Sequence, residues 1–260
     1  MRIFGRIAAA VVAIVSACSF AAAKEWKTIK IGSDATYPPF ESIDSSGKIV
    51  GFDIDILNAI CDELKLTCEY INQDFDGIIP ALIAGKFDVI DSSISITEER
   101  KKTIDFTDKY YNTPPAIAAR KDASIKGTSV DDLAGKTIGV QSSTTHANYS
   151  QKTYTKSDVK LYPSSDQFKL DLVNGRLDAV NDDIVVLEDW LKSPEGSECC
   201  VLVGGVKIIP EIHGIGAGFA VRKEDTDLRD MLNKGIAAIR ANGKYKEIND
   251  KYFDFDAYGD

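Results

Sequence analysis

The sequence predicts an α/β protein of two similar lobes, and an internal repeat carries most of that prediction. Ala81-Leu82-Ile83-Ala84-Gly85-Lys86-Phe87-Asp88-Val89-Ile90-Asp91-Ser92-Ser93 reads as an apolar helix end, a glycine cap and a buried strand. The same pattern returns in Asp171-Leu172-Val173-Asn174-Gly175-Arg176-Leu177-Asp178-Ala179-Val180-Asn181-Asp182-Asp183, which places Ser93 and Asp183 at equivalent strand ends. A second echo pairs Lys27–Asp34 with Lys136–Ser143, each a strand ending in small polar residues. Short apolar strands alternating with helices of about ten residues predict mostly parallel sheets flanked by helices.

The chain opens with Arg2 and Arg6, an apolar run from Ile7 to Val15, and Ala21-Ala22-Ala23 before Lys24. This is the layout of a secretory signal, so residues 1–23 are expected to be removed on export. Val15-Ser16-Ala17-Cys18 also fits a lipoprotein cleavage site with Cys18 as the lipidated residue. The apolar run is too short to be read as a membrane span, which needs roughly 18 apolar residues. Losing residues 1–23 removes two arginines and no acid, leaving 29 basic side chains against 40 acidic ones, a net charge of −11. Such an acidic surface argues against nucleic acid as a partner and is compatible with a cationic solute.

Gly51-Phe52-Asp53-Ile54-Asp55-Ile56, continued through Ile60, Cys61 and Leu64, runs from a short strand into an amphipathic helix. Asn112-Thr113-Pro114-Pro115 is a helix-hostile connector and the expected first crossover between lobes. Ile209-Pro210 through Gly214, Gly216 and Gly218 offers the breaks for a return, after which a helix across Leu228–Ala241 is expected to pack on the first lobe. The division expected is 24–112 with 213–260 for lobe 1, and 113–212 for lobe 2. Cys199-Cys200 is open between two free thiols and a vicinal disulfide.

In open α/β sheets ligands lie beyond the carboxyl ends of the strands, so two facing lobes form a cleft that closes on its contents. Arg100 follows an expected helix opening at Ile96-Thr97-Glu98-Glu99, beside a strand end carrying Ser92, Ser93 and Ser95. A guanidinium grips a carboxylate through two parallel hydrogen bonds, and helix-terminal N–H groups would add to that grip. Thr144 and Thr145 would offer a hydroxyl and a backbone N–H from the other lobe, although by themselves they read as a helix cap. Asp182 or Asp183 supplies an anionic acceptor for an ammonium group. No Gly-x-x-x-x-Gly-Lys-Ser/Thr loop is present, His146 and His213 form no metal-spacing pair, and no cysteine sits in a nucleophile motif, so neither metal nor cofactor is expected.

Beyond residue 23 the chain resembles the family 3 bacterial extracellular solute-binding proteins, in particular those binding lysine, arginine, ornithine or histidine. Besides the Gly51–Ile56 stretch, the resemblance is carried by Asp34-Ala35-Thr36-Tyr37-Pro38-Pro39-Phe40-Glu41-Ser42, by Ser92-Ser93-Ile94-Ser95-Ile96-Thr97-Glu98-Glu99-Arg100, and by the ending Lys251–Gly259. It implies the type II, Venus-flytrap form of the two-lobed fold with two hinge crossovers, a periplasmic location, a mostly monomeric state and delivery of an amino acid to the permease of an ABC importer. It picks Asp183 for the ammonium, supports a Cys61–Cys68 disulfide, and implies that Asp34 holds a cationic side-chain end whose methylenes lie between Tyr37 and Phe75. Two positions depart from the relatives: Gln141 stands where an apolar residue is usual, and His146 where glutamine is. Protonation of His146 in the cleft is expected to weaken binding of cationic ligands below about pH 6.5. The alternatives are an enzyme of the same fold resembling cyclohexadienyl dehydratases, and an amino acid sensor or surface lipoprotein without a transport role.

Overall fold

The computed structural model describes residues 25–259. The signal segment 1–23 and Cys18 lie outside that range. Two five-stranded sheets carry the fold. The first runs, in spatial order, Thr67–Asn72, Thr28–Ser33, Val89–Ile90, Ala217–Val221 and Asp105–Tyr111; the second runs Asp158–Tyr162, Thr137–Gln141, Ala179–Asp183, Pro115–Arg120 and Cys200–Gly205. In each sheet the first three strands are parallel and the fourth is antiparallel to its neighbours. The internal repeat therefore extends to the whole sheet order.

The fourth strand of the first sheet is the one that follows the second sheet in the chain, so the backbone passes between sheets twice. The first passage is short, from Tyr111 to Pro115, and agrees with a connector in which two prolines deny the chain a helix. The second leaves Gly205, makes one turn of helix at Pro210–His213 and enters the first sheet at Ala217. His213 packs against Tyr149 of the helix Thr145–Thr153, with ring centroids 4.9 Å apart and ring planes tilted by 40°.

Helix Phe52–Leu64 starts after Gly51, whose φ of 142° suits glycine and whose missing side chain lets the backbone pass the Phe40 carbonyl; an added Cβ would lie 2.1 Å from that oxygen. Its buried face, including Phe52, Ile56 and Ile60, meets helix Thr226–Ala241 through Leu232 and Ile236, with Gly235 allowing the close crossing over Ile60. This pairing anchors the carboxyl-terminal segment on the first sheet. Cys61 and Cys68 are disulfide-bonded across the helix end and the next strand. Cys199 and Cys200 are also bonded to each other, where helix Pro194–Cys199 passes into its strand. Among the described residues no helix is long and apolar enough to cross a membrane.

One local expectation is corrected. The segment at Ile96–Glu99 does not open an α-helix; only a single 3-10 turn forms, at Arg100–Lys102. Five charged residues in succession, Glu98 to Lys102, before a buried Ile104 leave no apolar face for a longer helix to bury. A helix dipole therefore plays no part in that corner of the cleft.

Candidate ligand-binding cleft

The loops at the carboxyl ends of the parallel strands of both sheets converge on one small cavity of about 30 Å³. Asp34, Tyr37, Phe75, Ser92, Ser93, Ser95 and Arg100 line it from the first lobe, and Thr144, Thr145 and His146 from the second. Asp183 opens onto an adjoining hollow of about 90 Å³ that shares Tyr37, Ser93, Ser95, Thr145 and His146. Glu41 and Gln141 also line the cavity, and neither was among the residues singled out for it from sequence.

Arg100 is held by backbone carbonyls. Nη1 donates to Ser95 O at 2.9 Å and Nη2 to Ser143 O of the opposite lobe at 3.0 Å. Ser143 is left-handed, with φ of 61°, and its hydroxyl, like that of Ser142, donates to Asp76 across the cleft at 2.6 Å. Five guanidinium N–H groups minus these two leave three for a ligand. Burial draws the Arg100 pKa down to about 10, so it remains cationic at neutral pH, and no carboxylate among the described residues forms an ion pair with it.

On the second lobe Asp183 ends its strand and caps helix Ile184–Trp190, accepting from Val185 N at 2.8 Å and from the Thr113 hydroxyl. Asp182, one residue earlier, accepts from the Tyr37 hydroxyl of the other lobe at 2.5 Å and lies 3.7 Å from His146 Nε2. Burial pushes Asp182 up to about 6 and Asp183 up to about 7. Any ammonium group bound at Asp183 would demand the ionised carboxylate, so its binding should release a proton below about pH 7. Affinity should then fall with pH by up to roughly tenfold per unit. Calorimetric titration at pH 5.5, 6.5 and 7.5, in buffers of different ionisation enthalpy, reads both the affinity and the released proton.

The sequence-based expectation for His146 is corrected here. Burial, helped by the nearby Arg100 charge, lowers its pKa to about 4, so it stays neutral where a free histidine would titrate. It lines the cavity but adds no charge at pH 5.5. Ligands with and without a cationic side chain should therefore lose affinity in parallel on acidification; a loss confined to cationic ones would restore His146 as the titrating group.

Asp34 sits beyond strand Thr28–Ser33, 4 % exposed, its backbone N–H donating to Ser92 Oγ at 3.0 Å. Its carboxylate accepts from Thr36 Oγ1 at 3.0 Å and from Gln141 Nε2 at 2.8 Å, while burial raises its pKa. No ion pair to Asp34 occurs among the described residues. Phe75 begins its helix beside Arg100, whose guanidinium carbon lies 5.6 Å from the ring centre. Tyr37 lines the same cavity from the short strand Thr36–Tyr37.

The hydroxyls divide into two groups. Thr144 is committed as a cap, accepting from Ala147 N at 3.0 Å and donating to Gln141 O at 2.7 Å, so the carboxylate-binding hydroxyl expected of it is already spent. Ser92 and Ser93 are tied to Glu41, and Ser93 also to Asp53, through contacts of 3.1–3.5 Å. Burial raises Glu41 well above the usual carboxylate range and Asp53 to about 6, so this pair holds a proton near neutrality and fixes the serine loop from beneath. Thr145 and Ser95, 3.5 Å apart across the cleft, are the hydroxyls best placed to turn toward a ligand.

Comparison with known proteins agrees with this architecture. Residues 29–255 match the model of the bacterial extracellular solute-binding proteins, family 3. The chain is 42% identical over its whole length to an L-arginine-binding protein of Pseudomonas aeruginosa, covering 99% of that protein. It is 40% identical to the histidine-binding periplasmic protein of Escherichia coli K12 over 90% of each chain. A solved periplasmic binding protein of Salmonella typhimurium, described for its high arginine specificity, superposes with a TM-score of 0.81 at 33% identity, over 87% of this chain and 99% of that one. The chain belongs to the bacterial extracellular solute-binding proteins, family 3.

Proposed function

We propose that this protein is the periplasmic receptor of an amino acid ABC importer and binds one basic L-amino acid between its lobes. The observation that carries the proposal is a set of ionisable groups in one cleft without partners of opposite charge. Arg100 is cationic with no acidic partner, while Asp183 and Asp34 are acids with no basic partner. A zwitterion with a cationic side chain supplies the complement of all three: carboxylate to Arg100, ammonium to Asp183, side-chain cation to Asp34. Leaving buried charges unpaired is costly, and one ligand relieves every case. Tyr37 and Phe75 would contact the methylene stem, which favours apolar and π surfaces. The relatives' names fit this reading.

In this account residues 24–112 and 213–260 move as one lobe and 113–212 as the other, and the closed form is what a permease reads. Permease and ATPase are separate chains, residues 1–23 direct export and are then removed, and the receptor acts as a monomer without catalysis. Titration of the refolded chain with arginine, lysine, ornithine, histidine, glutamine and glutamate tests the proposal. One-to-one binding confined to cationic members, with the ligand recovered intact, supports it; turnover, or no binding, refutes it. Asp34→Asn should weaken cationic ligands by roughly tenfold or more while leaving neutral ones unchanged, because only the charge opposite the side chain is lost. Equal loss for both kinds would remove Asp34 from the distal site.

A further inference from the structure

We propose that Gln141 makes this cleft selective for a guanidinium over an ammonium side chain, an inference that rests on the amino acid reading above and ranks arginine ahead of lysine and ornithine. Gln141 is 5 % exposed and lines the cavity. Its Nε2 donates to Asp34 Oδ2 at 2.8 Å and to Pro163 O at 3.1 Å. Neither partner can donate in return, so the amide has one workable orientation: flipping it would set its oxygen against a carboxylate and a carbonyl.

With both N–H groups committed, Gln141 has only its carbonyl oxygen left to offer. Asp34 Oδ1 already accepts from Thr36 and Oδ2 from Gln141, which leaves further lone pairs on both carboxylate oxygens. Asp34 and Gln141, which line one cavity from different lobes, thus have only acceptors left to offer. A guanidinium carries five N–H donors in one plane. Two can run parallel onto the Asp34 carboxylate while an outer N–H turns to Gln141. An ammonium has three donors on one compact centre and cannot span the same set without leaving an acceptor unmet, and a buried unmet acceptor weakens the complex. An apolar side chain at position 141 would remove that discrimination.

The test is competitive calorimetry of the refolded protein and of Gln141→Met, with arginine and lysine. Arginine should bind wild type at least tenfold more tightly than lysine, and Gln141→Met should cut that ratio by fivefold or more, chiefly through arginine. The ratio is internal to each protein, so a general loss of fit cancels. Should Gln141→Met fail to fold, wild type with Nω-monomethylarginine replaces it: blocking one outer N–H should erase most of arginine's advantage. Lysine bound as tightly as arginine by wild type, a ratio unchanged by the substitution, or an undiminished methylated ligand overturns the role of Gln141 and leaves the amino acid reading standing. Binding of no cationic amino acid overturns both.

Discussion

Arg100→Ala should weaken amino acid binding by roughly thirtyfold or more, because losing one partner of a desolvated charge pair costs about 2–5 kcal/mol. The guanidinium is half-buried in the cleft, lacks an acidic partner among the described residues, and retains three N–H groups beyond its bonds to Ser95 O and Ser143 O. Those two bonds also help shape the closed cleft, so alanine removes both a ligand contact and an interlobe tie. Arg100→Lys separates the contributions. It keeps the charge but not the planar fork, and should recover only part of the loss. Titration calorimetry beside thermal melting reads the result; wild-type affinity in Arg100→Ala would place the α-carboxylate elsewhere.

Asp183→Asn carries the second large effect, and asparagine is chosen with the fold in mind. The Asp183 side chain caps a helix through Val185 N and accepts from Thr113, and asparagine is an equally good cap. Stability should therefore change little while the anionic acceptor disappears. Affinity for every amino acid, cationic or neutral, should fall by roughly thirtyfold or more. The proton released on binding below about pH 7 should vanish with it, since Asp183 is the group burial has pushed up to about 7. If affinity falls but proton release persists, the titrating acid is Asp182.

Much of the fold was legible because the chain states it twice. The glycine-capped helix end at Gly85 and its echo at Gly175 both lead into the third strand of a sheet, and both sheets share one strand order. Such a repeat depends on local pattern, which a sequence displays directly. The candidate site was legible in its residue types, since Asp34, Arg100 and the serines lie beyond strand ends and line one cavity. Who bonds to whom was not. Thr144 could be a ligand contact or a cap on sequence grounds, and the cap prevailed because Ala147 N needed a partner. Glu41 was hidden by a short strand, Glu41–Ile43, whose alternation gives no sign that an acid faces inward. Gln141 was visible only as a departure from relatives, and its meaning required the distance to Asp34. The pKa of His146 depends on burial and on Arg100, both properties of the assembled cleft.

The measurement that tests the central claim most directly is a crystal structure of the refolded protein with L-arginine. The account predicts one ligand between the lobes, its carboxylate within hydrogen-bond reach of Arg100, its ammonium on Asp183, and its guanidinium on Asp34 and Gln141. A ligand lying in the opposite sense, with its guanidinium toward Asp183, or one bound outside the cleft would contradict it.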